Sequence, residues 1–349
     1  MTSVKAYRRK LDLKSGRVDL SHGAGGRAMS QLIAEIFHAA LDNEWLRQGN
    51  DQSIFDAPKG RMAMTTDAFV VSPLFFPGGD IGSLAVHGAI NDVAMSGARP
   101  LYLSASFIIE EGFALADLAR IAESMGAASR AAGVPVITGD TKVVERGKAD
   151  GVFISTAAVG VAPEGLELSG DRARPGDLVL LSGSIGDHGV AIMSKRENLE
   201  FECEILSDSA PLHGLVAEMV AAAASSLRLM RDPTRGGLAA TLNEIAQQSG
   251  VGFRIDETAI PVKPEVAAAC ELLGLDPLNV ANEGKLVAVV APEAAQALLD
   301  AMRAHPLGRD AAIIGATVAD DRRFVQMRSS FGGSRIVDWL AGEQLPRIC

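Results

Sequence analysis

Cysteine is scarce in this chain of 349 residues: there are three, and none forms a Cys-x-x-Cys pair. Three cysteines cannot build a disulfide framework, which favours a reducing, cytoplasmic compartment. The six histidines form no His-x-His or His-Glu-x-x-His motif, so nothing indicates a zinc site. Long apolar runs are also missing. No segment reaches the ~18 uncharged apolar residues of a membrane helix, and the basic start, which no apolar stretch follows, predicts no secretory signal.

Positive charge is in deficit, with 33 Lys plus Arg against 43 Asp plus Glu and a net charge of −10. This balance argues against a nucleic-acid-binding protein, which needs a basic face. The length exceeds what one hydrophobic core fills and predicts two domains of roughly 150 residues each. Glycine is in excess, with 36 residues. That excess indicates tight turns or backbone packed closely against a ligand.

The periodicity of apolar residues predicts two successive sets of strands and helices. The first set has strands at 62–66, 101–109, 134–138 and 152–161 and helices at 81–98 and 115–132. The second set has strands at 177–182, 251–255, 285–290 and 312–318 and helices at 212–224 and 293–303. A polar stretch with Pro and Gly separates the two sets. We therefore expect an α/β domain at 1–165, with 1–17 poorly ordered, and an α+β domain at 166–340.

A group of aspartates is placed to bind metal and phosphate. Asp92 is the one charged residue in the first predicted helix, where a carboxylate must face water, a partner or a metal. Asp67 and Asp140 close predicted strands, Asp51 lies in a polar loop, and Asp80 is placed to cap the helix of Asp92. For any single one of them, an ordinary turn residue is the favoured explanation. Because strand-end carboxylates point into the ligand crevice of open α/β sheets, together they predict an Mg²⁺–phosphate site.

Two glycine-rich segments are candidates for holding phosphate. His-Gly-Ala-Gly-Gly-Arg-Ala at 22–28 matches the GxGxxA dinucleotide pattern, although the strand before it is short. Arg235-Gly236-Gly237 opens a predicted helix whose free N–H groups suit an anion, and an ordinary glycine-started helix is the equal alternative. Glu283 precedes a predicted strand and is placed to act as a base.

The chain ends in Leu-Pro-Arg-Ile-Cys. Pro346 biases Leu345 towards an extended conformation, and residues 341–349 are predicted to be a mobile tail that carries the thiol of Cys349. The α-carboxylate of Cys349 disfavours its thiolate, so a reactive role needs a positive partner. A chance terminal cysteine is the alternative that the residue by itself favours.

Several motifs together resemble the HypE family of hydrogenase maturation factors. They are FFPGGDIG at 75–82, TGDTKVV at 138–144, GDHG at 186–189, DPTRGGL at 232–238, NEGK at 282–285 and the terminal PRIC. The likeness runs from about residue 18 to the last residue. GDT and RGG are shared with a superfamily of ATP-using enzymes that includes aminoimidazole ribonucleotide synthetase, selenophosphate synthetase and thiamine-phosphate kinase.

The resemblance implies an ATP-dependent carbamoyl dehydratase whose N-terminal α/β domain dimerises through its strands, with ATP in the cleft beside an α+β domain. It implies that a HypF-like carbamoyltransferase loads a carbamoyl group on Cys349 and that this group becomes a thiocyanate. Cyanide then passes to iron on a HypC–HypD-like complex.

The resemblance also implies roles for single residues. The implied catalytic residues are Cys349, Glu283 as a base, and Lys142 near the γ-phosphate. The implied nucleotide contacts are Asp67, Asn91, Asp140, Thr141, Lys142, Arg235 and Gly236, and the implied Mg²⁺ ligands are Asp51, Asp67, Asp92 and Asp140.

Three other functions stay open on the sequence: a kinase or synthetase that acts on a free small molecule, a nicotinamide oxidoreductase that uses the glycines at 22–28, and a thiol carrier without catalysis. Selenophosphate synthetases carry Cys or selenocysteine near their N-terminal glycines. This chain has neither there, which counts against that enzyme.

Overall fold

A computed structural model describes residues 10–199, 204–340 and 347–349 of the chain. The first half has the strands β1 (Arg61–Phe69), β2 (Phe75–Phe76), β3 (Gly79–Asp80), β4 (Arg99–Glu110), β5 (Val136–Val144) and β6 (Val152–Ala162). Four of them form one sheet in the order β1-β6-β4-β5, and β2 pairs with β3. In the larger sheet β4 and β5 run parallel, and the other neighbours are antiparallel.

Helices cover one face of this sheet and leave the other face open. They are α1 (Arg27–Leu32), a π-helix (Ile33–Phe37), α2 (His38–Leu41), α3 (Ile81–Met95) and α4 (Leu115–Ala132). The odd-numbered residues 103–109 of β4 are buried on the helix side. On the open side, Met62 is 48%, Met64 73% and Ile108 42% exposed. Alternation along the strands thus gives the sheet one core face and one face with exposed apolar side chains.

Helix α3 is the central helix of the first half. Its N-cap is Asp80, whose side chain accepts hydrogen bonds from the backbone N–H groups of Gly82 and Ser83, as the sequence predicted. It ends at Met95, three residues before the expected end at 98, because Gly97 adopts a left-handed conformation (φ +74°). Most of the helix is buried, so its polar residues meet other parts of the protein rather than solvent.

The second half is built on a seven-stranded sheet. Its strands are β7 (Leu178–Leu181), β8 (Leu227–Arg231), β9 (Gly252–Asp256), β10 (Val287–Val290), β11 (Ala312–Val318), β12 (Val325–Arg328) and β13 (Ser334–Ile336). Their order in the sheet is β13-β12-β9-β11-β7-β10-β8, with β9 and β12 parallel and the other neighbours antiparallel. The helices are α5 (Asp187–Arg196), α6 (His213–Ala223), α7 (Gly237–Ser249), α8 (Pro264–Leu273) and α9 (Ala295–Ala304).

The structure confirms the mixed helix and sheet content of both halves, and two predicted elements match to the residue: the helix at 115–132 and the strand at 312–318. The domain boundary at 165/166 stays a prediction. Residues 10–17 were expected to be poorly ordered, but the structure places Arg17 in a β-bridge with Ala114. Residues 1–9 and 341–346 lie outside the described residues. Among the described helices, none has both the length and the apolar character needed to span a membrane.

Candidate active site

The last three residues of the chain lie against the start of the loop that follows β1. The backbone N–H of Val70 donates to the terminal oxygen of Cys349 (3.1 Å), and that of Ser72 donates to the carbonyl of Arg347 (3.0 Å). The order of these pairs makes the two segments antiparallel. Residues 347–349 of the predicted mobile tail are therefore docked in this structure.

Helix α5 of the second half holds the same tripeptide from the other side. The Nε2 atom of the buried His188 lies 2.9 Å from the carbonyl oxygen of Ile348, and its Nδ1 atom lies 2.8 Å from the hydroxyl of Ser207. Since a carbonyl only accepts, Nε2 carries the proton and Nδ1 accepts from Ser207. Burial lowers the pKa of His188, which keeps the ring in this neutral form. The site thus contains groups from both halves of the chain.

The thiol of Cys349 is held in its neutral form. Burial, followed by the charges of Glu283 and Asp67, raises its pKa to about 12, and Arg235 opposes this rise. The positive partner that the sequence required is therefore present in Arg235, but its effect is outweighed. The docked cysteine is a poor nucleophile, because the thiolate is the reactive form.

Glu283 is a deeply buried carboxyl group whose charge acts on this thiol, with 3% of its surface exposed. Burial and the nearby charges of Asp232 and Asp208 raise its pKa well above the ordinary value. Its backbone N–H donates to Oδ1 of Asp208 (3.0 Å), and the Asp208 carboxylate pairs with Lys285 (3.1 Å). The expected base thus acts electrostatically on the expected thiol, in an environment that raises the pKa of the base itself.

Asn91 has a different place from the one implied for a nucleotide ligand. It is 1% exposed, and its amide group donates to the backbone carbonyls of Ala210 (3.0 Å) and Glu283 (3.1 Å). Its side-chain oxygen accepts from the backbone N–H of Leu212 (2.7 Å). Because these polar atoms are already bonded to protein, the structure contradicts the implied nucleotide contact. Asn91 instead holds the backbone of Glu283 in place.

Asp67 and Asp92 lie together on the helix side of the first sheet. Thr65 donates its hydroxyl to Asp92 (2.8 Å), and burial is the largest cause that raises the pKa of both aspartates. The charge of Asp67 raises the pKa of Asp92 further, while Arg235 lowers both. These two members of the predicted aspartate group are therefore brought together.

Asp232 is a third carboxyl group of this cluster that sequence reasoning missed. Burial and the charges of Asp92 and Asp67 raise its pKa to about 7. With Asp92 and Arg235 it lines a cavity of about 510 Å³ between the two halves. The signal was available, because Asp232 begins the same DPTRGG segment that drew attention to Arg235.

Asp140 and Lys142 do not join this cluster. The strand register pairs Asp140 with Ser106, Ser106 with Ser155, and Ser155 with Ala68, so Asp140 shares a face with Ala68. Asp67 points to the opposite face. Both aspartates also lie inside strands rather than at strand ends. The argument that strand-end carboxylates converge within one chain was therefore wrong.

Lys142 pairs with Asp140 (2.8 Å) on the open face, and the pairing lowers the pKa of Asp140. Thr141, between them, is buried on the helix side, and its backbone N–H donates to Asp140 (2.8 Å). Asp51 is exposed in a loop that is tied to β5 through a hydrogen bond from Ser53 to the carbonyl of Ile137. Asp51 is therefore placed on the β5 side of the sheet.

Arg235 and the two glycines after it form the start of α7. Gly236 and Gly237 both have left-handed backbones (φ +77° and +61°), which favour glycine. A Cβ atom on Gly237 would also lie 2.6 Å from the carbonyl oxygens of Leu278 and Val280. The glycines therefore let the helix begin close to the 278–280 loop, with its N–H groups beside Arg235.

The acidic cluster suits a divalent cation chemically. Among the described residues, no three potential ligands are already arranged around one point. Asp67, Asp92 and Asp232 nevertheless supply the hard carboxylate oxygens that Mg²⁺ prefers. A cation among them would offset the repulsion that raises the pKa of Asp92 and Asp232. Phosphate groups of a substrate would complete its ligands.

Known proteins share this architecture along almost the whole chain. Residues 49–162 match the N-terminal domain model of AIR synthase related proteins, and residues 174–328 match the C-terminal one. The chain is 78% identical to the carbamoyl dehydratase HypE of Rhizobium leguminosarum bv. viciae, over 99% of each chain. A crystal structure of the hydrogenase maturation protein HypE in complex with ATP is 49% identical, with a TM-score of 0.91 over 95% of this chain and 99% of that one. HypE in a HypE–HypF complex is 50% identical, with a TM-score of 0.78 over 88% of this chain and 99% of that one.

Proposed function

The chain belongs to the HypE family of carbamoyl dehydratases, and from this membership and the site we propose that it dehydrates a carbamoyl group carried on its own Cys349. The product is a thiocyanate, the precursor of a cyanide ligand of the NiFe hydrogenase iron centre. The observation that carries the proposal is the position of Cys349. The charges of the buried Glu283, of Arg235 and of Asp67, a member of the acidic cluster, all act on its thiol.

The reaction needs ATP because the amide oxygen is a poor leaving group. The carbamoyl oxygen attacks the γ-phosphate of ATP and releases ADP, and the resulting phosphate ester leaves as phosphate when the carbon–nitrogen triple bond forms. Two N–H protons are lost, and we assign Glu283 to accept a proton, since its buried carboxylate is a strong base when ionised. The second proton ends on the departing phosphate, and the sum is S-carbamoyl-cysteine plus ATP giving S-cyano-cysteine, ADP, hydrogen phosphate and one proton.

The site offers groups for the phosphates of ATP and for the cation that accompanies them. Arg235 and the N–H groups at Gly236 are placed to bind phosphate. Mg²⁺, when bound, would offset charge on the phosphates, with Asp67, Asp92 and Asp232 as its ligands. A relative of known structure binds ATP, which supports nucleotide binding here.

Asp140 and Lys142 reach the same nucleotide only from a second copy of the chain, because they lie on the other face of the sheet. We therefore propose a homodimer that joins the open faces of two sheets. The exposed apolar side chains of Met62, Met64 and Ile108 on that face support it. In this arrangement Lys142 places its charge near the γ-phosphate, and Asp140 and Asp51 are further candidate ligands of Mg²⁺.

Two partners are proposed. A HypF-like carbamoyltransferase loads Cys349, and the solved HypE–HypF complex of a relative supports this pairing. A HypC–HypD-like complex that carries iron receives the cyanide. Because the docked thiol is neutral, loading requires the tail to leave the site, as the predicted mobility of residues 341–349 allows.

Intact-mass spectrometry tests the reaction. After incubation with carbamoyl donor, transferase and ATP, we expect a gain of one carbamoyl group on Cys349, followed by an ATP-dependent loss of one water. Cys349→Ala should bind ATP but gain neither mass change. A cyanated product from Cys349→Ala would contradict the proposal. Turnover of a free small molecule by that variant would instead favour a kinase or synthetase.

A further inference from the structure

The tripeptide 347–349 is bound along its backbone in a groove. We define this groove by the residues Val70, Ser72, Asp150, His188 and Arg196. Two groove N–H groups, those of Val70 and Ser72, donate to the tripeptide. The guanidinium of Arg196 donates to the carbonyl of Arg347 (3.0 Å) and to that of Ser72 (2.6 Å). His188 donates to the remaining carbonyl. Each carbonyl of the tripeptide therefore has a partner in the groove.

Two side chains of the tripeptide are also recognised. Arg347 forms an ion pair with Asp150 and donates from Nε to the carbonyl of Val70 (3.0 Å). Ile348 is 3% exposed and belongs to the same apolar cluster as Ile192. Arg347 keeps this position although its backbone is left-handed (φ +55°), a conformation that an arginine rarely adopts. The contacts therefore outweigh a local backbone cost.

These contacts are those of a peptide-recognition site, with backbone bonds that give affinity and side-chain contacts that give specificity. We propose that the groove binds a detached peptide ending in Arg-Ile-Cys, and that the enzyme dehydrates such a peptide in trans when its cysteine carries a carbamoyl group. The second half of this statement rests on the proposed function. The first half rests only on the contacts of the groove.

A tethered tail competes with a free peptide at an effective concentration in the millimolar range. The test therefore uses the full chain with Ile348→Asp, which expels its own tail because the aspartate cannot be buried there unpaired. A melting curve confirms folding. If this variant does not fold, the variant Arg347→Ala is used instead, because loss of the Arg347 side chain weakens docking of the tail at the exposed end of the groove.

The binding probe is a fluorescent synthetic peptide with the sequence of residues 341–349, measured by anisotropy without ATP. We expect it to bind at least about 20-fold more tightly than the same peptide with Ile348→Asp. Burial of an isoleucine side chain contributes a binding free energy that corresponds to a factor of this size. Equal binding of the two peptides, or none by either, would overturn the proposal.

A double-mutant cycle tests the recognition of Arg347. Asp150→Asn in the protein should weaken the native peptide about threefold and leave a peptide with Arg347→Met unaffected. Glu145→Gln removes a nearby exposed carboxylate and should change neither. The same loss of affinity for both peptides would show that Asp150 does not recognise the Arg347 side chain.

The activity arm uses the S-carbamoyl form of the peptide, the Ile348→Asp/Cys349→Ala chain, ATP and Mg²⁺. Mass spectrometry should show loss of one water from the peptide and formation of ADP. Binding without this loss, while wild type dehydrates its own tail, would overturn catalysis in trans. Failure of both reactions, with peptide binding intact, would contradict the proposed function and leave the groove assignment standing.

Discussion

The charge of Glu283 acts on the thiol of Cys349: burial first, and then this charge, raise the pKa of Cys349 to about 12. The same two groups are the substrate carrier and the base of the proposed reaction. A carbamoylated sulfur has no proton to lose, so the charge of Glu283 does not oppose docking of the loaded tail in this way. The site therefore suits the loaded cysteine better than a thiolate.

Docking should protect Cys349 from alkylation. An ordinary cysteine has a pKa of about 8.5, so at pH 8 a thiol of pKa about 12 holds far less thiolate. We expect Ile348→Asp, which undocks the tail, to raise the rate of iodoacetamide modification of Cys349 at least about tenfold. Peptide mapping by mass spectrometry assigns the modification to that residue.

The matched control is Leu272→Asp, which makes the same change at a side chain that is 68% exposed on the surface. It should leave the rate at Cys349 unchanged. Similar rates in wild type and Ile348→Asp would show that the thiol is not protected in the docked tail.

Local patterns predicted the elements well. The helix at 115–132 matched because its apolar stripe ends at Gly133, which takes the left-handed conformation of a helix end. The helix N-cap at Asp80 could also be predicted, since it involves only neighbouring residues. Such features depend only on residues within one or two helical turns of each other, so they can be recognised in the sequence.

The face on which a residue lies was predicted less well. Asp140 and Lys142 alternate with the buried Thr141, a period of two that indicates a continuing strand, yet they were taken as residues beyond its end. Apolar runs mark a strand only where both faces are covered. Here one face is open, and its polar residues concealed the strand.

Long-range partners could not be predicted from one sequence. Asn91 is bonded to groups 119 and 192 positions away, and no local pattern of residues indicates such pairs. The resemblance to HypE implied that Cys349 and Glu283 act in one site, and in the structure the charge of Glu283 raises the pKa of Cys349. Their roles in the reaction stay predictions.

The rate of dehydration should depend on pH through Glu283. A base must be ionised, and the pKa of Glu283 is raised well above 4.5, so its active fraction is small at acid pH and grows as pH rises through the raised value. Single-turnover measurements on preloaded protein should therefore show a rate that increases with pH and then levels. Because the protein already carries its carbamoyl group, the carbamoyl-transfer step does not contribute to the measured pH dependence.

Glu283→Gln should lower this rate about 100- to 10,000-fold and remove the pH dependence. Glu218→Gln, which changes an exposed carboxylate, is the control and should keep the wild-type profile. If the Gln variant retained the rise with pH, another group would be the base.

Asn91 should matter for stability and for the position of Glu283 rather than for ATP affinity. Asn91→Ala leaves buried carbonyls and an N–H group without partners, so we expect a loss of about 3 kcal/mol in the free energy of unfolding. Urea unfolding measures this loss. Binding of ATP, measured by calorimetry at low temperature, should change less than about twofold.

The exposed Asn50→Ala is the control for Asn91→Ala and should alter neither quantity. A tenfold loss of ATP affinity without loss of stability would return Asn91 to the nucleotide ligands. That result would also require its amide to exchange protein partners for phosphate.

Opposite faces of one sheet carry Asp67 and Asp140, so a site that uses both must combine two copies of the chain. Asp67→Asn and Asp140→Asn should each lower ATP-dependent dehydration at least about 100-fold. Co-expressed as mixed dimers, the two variants should recover about a quarter of wild-type activity, because half of the dimers are mixed and each has one intact site.

Co-expression of Asp140→Asn with Lys142→Ala is the matched control. Both changes lie on the same side of the site, so neither site of that mixed dimer is intact and no activity should return. No recovery in the first mixture would show that one copy supplies the whole site, and recovery in the control would show that Asp140 and Lys142 do not serve the same site.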